Sequence, residues 1–440
     1  MGPGRQRVAG RPPRALPAER PDLYIEGMLE RDVVILGGGP GGATLASCLV
    51  RRGRVPLVLE RDVFPRFHIG ESLLPCSSEV FRDLGLLEEL DARFMRKHGA
   101  RFHDSRTRRT VRYDFSEAFD ANFDHAYQVP RAEFDELLLR HAQKLGAEVR
   151  ESWEATDVLF EGERAVGVRA QPRGCPEQSI EIRSRVVVDA TGRDALLASR
   201  TRRKARVPGL DKTALFTHFR GVPRPSGTEE GDIHIVVFDH GWFWVIPFRD
   251  GVTSVGAVCS NEWIKSRLAG ETLDAFFERT VALSPVMVDM LAGAERLRPV
   301  GALADFSYRI DQLTGDGWLF VGDAAGFLDP LFSTGAHLAI KGGYLAADAI
   351  DAALTRGPCT RADFATYERE IRYAVDLFLG IVQGFYRGPV QEAVFDVKQR
   401  TTMRRLITSI LSGDVFHGGN PPVWASFVRQ KYPAEVPEFA

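Results

Sequence analysis

The sequence predicts an α/β protein: a parallel sheet flanked by helices, a second sheet that is antiparallel, and a helical C-terminal cap. An apolar run at residues 32–36 leads directly into Gly37-Gly38-Gly39-Pro40-Gly41-Gly42 and an apolar helix through Val50, with another apolar run at 55–59 behind it. Strand, glycine turn, helix and strand in that order make a βαβ unit, which belongs in a parallel sheet. Between 206 and 300, strand-like runs at 232–238, 241–248 and 252–259 follow one another, and Arg249-Asp250-Gly251 joins the last two. Asp-Gly between such runs is a hairpin signal. From Arg361 onward, Phe364, Tyr367, Ile371, Phe378, Val382 and Phe385 recur at helical spacing, and a second helical run covers 394–411. Stripes of this kind are core faces of helices.

A chain of 440 residues has room for two or three packed units. We divide it into an N-terminal extension (1–29), a nucleotide-binding domain in two parts (30–205 and 301–360), an antiparallel-sheet substrate domain (206–300) and a helical C-terminal region (361–440). Residues 1–27 are rich in Arg, Pro, Gly and Ala without an apolar core, which reads as disorder rather than a signal peptide, and Met28 is an alternative start. A composition of 44% hydrophobic and 26% charged residues, with no apolar run long enough to span a bilayer, is that of a soluble protein with no membrane partner. A net charge of −2 argues against nucleic acid as a partner. Cys48, Cys76, Cys175, Cys259 and Cys359 are scattered, without metal-binding or redox spacing, and fit a reducing, cytoplasmic compartment.

Each glycine of the turn has a reason to be there. Gly37 permits the tight turn, Gly39 lets the backbone approach a pyrophosphate, and Gly42 allows helix and strand to pack closely, with Gly38 and Gly41 completing the fingerprint. The helix N-terminus then faces the phosphates. Glu60, at the end of the second strand with Arg61 beside it, is placed to take ribose hydroxyls.

The far end of the chain identifies the nucleotide. Trp318 to Val321 reads as a buried strand running into Gly322-Asp323-Ala324-Ala325, and this resembles the second flavin motif of aromatic-hydroxylase-like flavoproteins, in which the Asp binds the ribityl chain. Arg131, opening a helix over 132–146, and Val186-Val187-Val188-Asp189-Ala190-Thr191-Gly192 match further parts of that pattern. The resemblance covers nearly all of 30–360 and implies a Rossmann-like FAD-binding domain of the aromatic-hydroxylase type. No second glycine fingerprint exists, and 189–200 lacks the Asp-Gly arrangement with which one-component hydroxylases accept a nicotinamide. The reduced flavin is therefore expected from a separate flavin reductase.

Trp242-Phe243-Trp244-Val245-Ile246-Pro247 narrows the family. Alternation along a strand puts Trp242, Trp244 and Ile246 on one face, and Pro247 ends regular pairing, so the segment is a bulky wall rather than a catalytic group. Here the chain resembles the flavin-dependent halogenases, whose Trp-x-Trp-x-Ile-Pro motif shields the flavin from the organic substrate. The segment Phe64 to Pro75 is similar to the halogenase stretch lying over the flavin, which places Ile69, Glu71 and Ser72 near the cofactor. After an expected helix over 76–90 comes Met95-Arg96-Lys97-His98-Gly99-Ala100, where the resemblance makes Lys97 catalytic. An amine can capture and aim hypohalous acid if burial lowers its pKa enough to make the neutral form accessible. Phe327 to Ala336 matches the halogenase loop whose Ser333, Thr334 and Gly335 backbone amides hold halide at a helix N-terminus, with Ala336 next to the flavin.

One departure informs. Tryptophan halogenases carry a glutamate where this chain has Phe332, whereas phenol and pyrrole halogenases usually have phenylalanine. The resemblance thus implies FADH2, O2 and chloride or bromide acting on an electron-rich aromatic, a carrier-protein-bound pyrrole or phenol in secondary-metabolite biosynthesis. The competing readings on the same frame are an aromatic hydroxylase, a prenyl reductase and a non-catalytic flavoprotein partner.

Overall fold

The computed structural model describes residues 29–437 apart from 121, 202, 203, 269, 305, 399 and 418–420; the expected N-terminal disorder and the Met28 start lie outside the described residues. The βαβ unit forms as its pattern requires. Strand Leu29–Leu36 pairs in parallel with Leu57–Glu60 on one side and Ile180–Asp189 on the other, and the latter pairs in parallel with Trp318–Phe320. Glu148–Glu151 extends the sheet beyond Leu57–Glu60, and the antiparallel strands Arg164–Pro172 and Trp153–Glu161 continue from Ile180–Asp189. Parallel strands covered on both faces read as unbroken apolar runs, and Val33, Val34, Ile35, Val186, Val187 and Val188 are all inaccessible to solvent.

The second sheet has the order Glu295–Arg296, Lys212–Arg220, Val252–Ser260, Gly241–Pro247, Ile233–Phe238, Gly99–Asp104, Thr110–Asp114, with Gly301–Ala304 also on Lys212–Arg220. The expected hairpin around Arg249-Asp250-Gly251 is present, Ile246 facing Ser254 and Trp244 facing Gly256. The sheet also takes in Gly99–Asp104 and Thr110–Asp114 from outside 206–300, through a parallel pairing of Gly99–Asp104 with Ile233–Phe238. Both faces of Gly241–Pro247 are buried. Phe243 and Val245 pack with Phe276, Phe277 and Ile264 from the short helices after residue 260, whereas Trp242, Trp244 and Ile246 pack with Phe378, Ile381 and Phe385 of the C-terminal helices.

Two expected helices divide. The run at 76–90 is a 3-10 turn Pro75–Ser77 and two helices, Ser78–Leu84 and Leu87–Arg93, separated by Gly85 in a left-handed conformation with φ 77°. The run at 394–411 is a short helix Pro389–Phe395 and a separate Thr401–Ser412; together with Ala365–Tyr386 and Val423–Lys431 they form the cap. No helix among the described residues is long and apolar enough to cross a membrane, and all five cysteines are free thiols.

Candidate active site

A cavity of about 660 Å3 runs from the glycine turn to the tryptophan wall. At one end it is lined by Gly37, Gly39, Gly41, Glu60 and Arg61; along its length by Arg131, Gly322 and Asp323; at the other end by Trp242, Trp244, Ile246, Ser333, Gly335 and Ala336. Gly38 and Gly42 stand behind the lining. The Gly38 amide donates to Glu60 at 2.7 Å, and Gly42 packs so closely that a Cβ would lie 2.0 Å from the Gly37 carbonyl oxygen. Gly37 takes φ 101°, and a Cβ there would lie 2.4 Å from the Ala190 carbonyl.

These residues fit a dinucleotide. Gly39 opens helix Pro40–Arg51 without a side-chain cap, leaving its first amides facing the cavity. The Arg66 guanidinium, which sequence reasoning missed, lies 3.5 Å from a Cβ built on Gly39 and supplies a cation where phosphates would sit. Glu60 accepts from Gly38 and Asp62 amides, and its carboxylate retains lone pairs for ribose hydroxyls. Arg61 pairs with Asp194 across the same end. Asp323 is the most telling. No described side chain donates to its carboxylate, and burial pushes its pKa up to about 6 despite Arg131 and Arg193. An unpartnered acceptor on the cavity wall matches a polyol chain such as ribityl. Arg131 is itself fixed by paired bonds to Asp135 and donates to the Ile69 and Gly70 carbonyls, so it braces the segment containing Ser72. Asp135, four residues on, was legible as an i, i+4 partner and was not named.

Adding a methyl group at Gly42, against backbone rather than a flexible side chain, should destabilise the domain by about 1–3 kcal/mol or more. Gly42→Ala is accordingly expected to lower both the denaturation midpoint and FAD affinity. Unchanged flavin titration and unfolding curves would contradict this packing.

Lys97 is only 1% exposed, at the end of strand Met95–Lys97, which pairs with Ala126–Gln128. Its amine donates to Ser72 Oγ and to the Leu73 carbonyl, both at 2.9 Å, and lies 5.3 Å over the Phe115 ring. Burial pulls its pKa down to about 7, with Asp232 opposing. Ser72 lines the cavity and Lys97 does not, so the serine hydroxyl stands between amine and cavity. The Glu71 carboxylate, on the neighbouring residue, meets His218 at 3.2 Å.

The loop after Asp323 is shaped by its own backbone. Asp329 Oδ1 accepts from the Leu331 amide, a 3-10 turn Pro330–Phe332 follows, and Ser333 enters helix Thr334–Arg356 with φ 56°. A left-handed non-glycine residue is held there by its surroundings, as at many functional sites. No side chain caps the helix and no acidic residue occupies its first turn. Thr334 is buried away from the cavity while Ser333, Gly335 and Ala336 line it. Phe332 is buried behind the lining, edge-on to Phe385 at 5.9 Å. Trp242 and Trp244 stand 6.1 Å apart, and Pro247 is outside the lining.

A family profile described as tryptophan halogenase matches residues 32–121 and 105–405. The chain belongs to the flavin-dependent halogenase family. The 1H-pyrrole-2-carbonyl peptidyl-carrier-protein chlorinase of Pseudomonas fluorescens is 32% identical over 88% of this halogenase and 90% of its own length. A corresponding brominase of Pseudoalteromonas luteoviolacea is 34% identical over 73% of this chain and 78% of its own. Among solved structures, the flavin-dependent brominase Bmp2 superposes with a TM-score of 0.81 at 29% identity, covering 91% of this chain and 98% of that one. The myxobacterial chondrochloren halogenase CndH gives 0.74 at 32% identity, over 90% and 99%. The cofactor of this halogenase is thus FAD as FADH2, used with O2 and halide.

Proposed function

We propose that this halogenase acts on an electron-rich aromatic, a pyrrole or phenol tethered to a carrier protein, in the cytoplasm and with FADH2 delivered by a separate flavin reductase. The observation that carries the reading is Lys97: a wholly buried amine with a depressed pKa, hydrogen-bonded to the serine that lines the cavity. The carrier-bound substrate is supported by the relatives' names and by Phe332, a phenylalanine at the position where tryptophan halogenases carry glutamate.

When bound, the reduced flavin with O2 oxidises halide to hypohalous acid. The chain's own groups do the rest. Gly37, Gly38, Gly39, Gly41 and Gly42 with Glu60 and Arg61 would hold the adenosine and phosphates, Asp323 and Arg131 the ribityl region, and Ile69, Ser72 and Ala336 the ring end. Ser333, Thr334 and Gly335 would present backbone amides to halide. Trp242, Trp244 and Ile246 form the wall keeping the aromatic from the flavin and excluding water, and Pro247 stands behind it at the end of the strand. Lys97, reached past Ser72, either hydrogen-bonds the hypohalous acid or takes its halogen as a haloamine with release of water, and the halogen passes to the ring carbon, which loses its proton as aromaticity is restored. Mass spectrometry of carrier-bound pyrrole and phenol substrates, with reductase and chloride, tests this; hydroxylated product independent of halide would refute it.

A nucleophilic amine must be neutral. With the Lys97 pKa pulled down to about 7 by burial, its neutral fraction grows as pH rises through that value. Product formed per flavin oxidised should therefore increase with pH through about 7 and then level off, in assays starting from pre-reduced enzyme. A ratio that falls across this range would contradict an amine nucleophile.

The reductase requirement is equally testable. NADH or NADPH alone should bleach the bound flavin negligibly, and a reductase or chemical reductant should restore turnover. Rapid direct reduction stimulated by an aromatic would point to a one-component hydroxylase.

A further inference from the structure

Three parts of the site come from distant stretches of the chain: the tryptophan wall, the turn before the halide loop and the C-terminal cap. One buried hydroxyl touches all three. Trp242 Nε1 donates to Tyr386 Oη at 2.8 Å, and Tyr386 Oη donates to Asp329 Oδ2 at 2.9 Å. The other oxygen of Asp329 accepts from the Leu331 amide at 2.9 Å, inside the turn that delivers Ser333. Asp329 is wholly buried, and burial pushes its carboxyl up to about 6 against the Leu331 and Tyr386 hydrogen bonds. The Lys212 ammonium lies 4.5 Å from the Tyr386 ring centroid and is the cation facing this chain.

We infer that Tyr386 is a positioning residue that couples the tryptophan wall to the halide loop through the hydrogen-bond chain Trp242–Tyr386–Asp329–Leu331. The inference rests on the halide-binding reading of Ser333, Thr334 and Gly335. A simple packing role would need only the ring. The hydroxyl is required because a phenylalanine leaves the Trp242 indole N–H at the cavity wall and an oxygen of the buried Asp329 carboxylate without this partner, and both relax by moving the elements that carry them. Tyr386 ends helix Ala365–Tyr386, so displacement of the cap would reach the wall and the halide turn together.

The test uses FAD-reconstituted protein and bromide as the probe, followed by the absorbance of the bound oxidised flavin. Tyr386→Phe should weaken apparent bromide affinity about tenfold, the effect of one buried hydrogen bond, with FAD affinity unchanged. Tyr367→Phe, which removes another buried hydroxyl, bonded to the Phe320 carbonyl at 2.6 Å, should leave bromide affinity at the parental value. Trp242→Phe should weaken it less, and Trp242→Phe with Tyr386→Phe should be no weaker than Tyr386→Phe alone, since the two act along one chain. Equal bromide affinity in parent and Tyr386→Phe would overturn the coupling while leaving the halide reading intact. A parental holoenzyme whose flavin spectrum never responds to bromide would overturn both. Equal losses in Tyr386→Phe and Tyr367→Phe would reduce Tyr386 to general packing.

Discussion

Lys97→Ala should lower halogenated product by more than about 100-fold, the range expected for loss of a positioned catalytic amine. The variant should still bind FAD and still produce hypohalous acid, because Lys97 is separated from the cavity by Ser72 and has no part in holding the cofactor in our scheme. The distinguishing readout is therefore a ratio. Oxidant trapped by an added scavenger should match the parent while product disappears. Removing the chain also leaves Ser72 Oγ and the Leu73 carbonyl without their donor, so Lys97→Met, which keeps most of the volume, separates chemistry from packing. Near-parental product in either variant would remove Lys97 from the mechanism.

Gly335→Pro is expected to raise the halide requirement sharply or to eliminate halogenation. Gly335 is the second residue of helix Thr334–Arg356, within the first turn, where amides lack partners in the helix and a proline is sterically tolerated. The substitution then removes one N–H donor without breaking the helix. A Cβ there would come within 2.9 Å of Phe327 Cε2, so Gly335→Ala is the control that adds the same contact but keeps the amide. Thr334→Ala should retain activity, since the Thr334 side chain is buried away from the cavity. The comparison is made on variants that bind FAD. A Gly335→Pro enzyme with parental halide dependence would place the anion elsewhere.

How far such sites are legible in the sequence depends on how local their determinants are. The glycine turn was readable because strand, turn, helix and acid lie within 29 residues of one another, from Asp32 to Glu60, and each imposes a backbone constraint on the next. The tryptophan wall was readable because alternation alone puts Trp242, Trp244 and Ile246 on one face, as observed. Gly85 carried a stop signal inside the helix expected over 76–90, and a left-handed cap is what it forms. By contrast, nothing in Gly99–Asp104 says that its partner is Ile233–Phe238, because a strand's pattern records burial and not which strand lies beside it. The same holds for Tyr386. On its helix it reads as one more aromatic near a core stripe, and only the fold brings its hydroxyl between Trp242 and Asp329. Ser72 was assigned to the flavin, and the structure adds its bond to Lys97, a contact across 25 positions that spacing does not reveal.

The most direct measurement is a reconstituted reaction containing this halogenase, FAD, a flavin reductase with NADH, O2 and chloride, with a pyrrolyl or phenolic carrier protein as substrate and intact-protein mass spectrometry as the readout. The expected result is a product carrying the chlorine isotope pattern, formed only when halide, reductase and the Lys97 amine are all present. An oxygenated product, or an unchanged substrate while the enzyme oxidises FADH2 and binds the carrier, would contradict carrier-bound aromatic halogenation as the function of this chain.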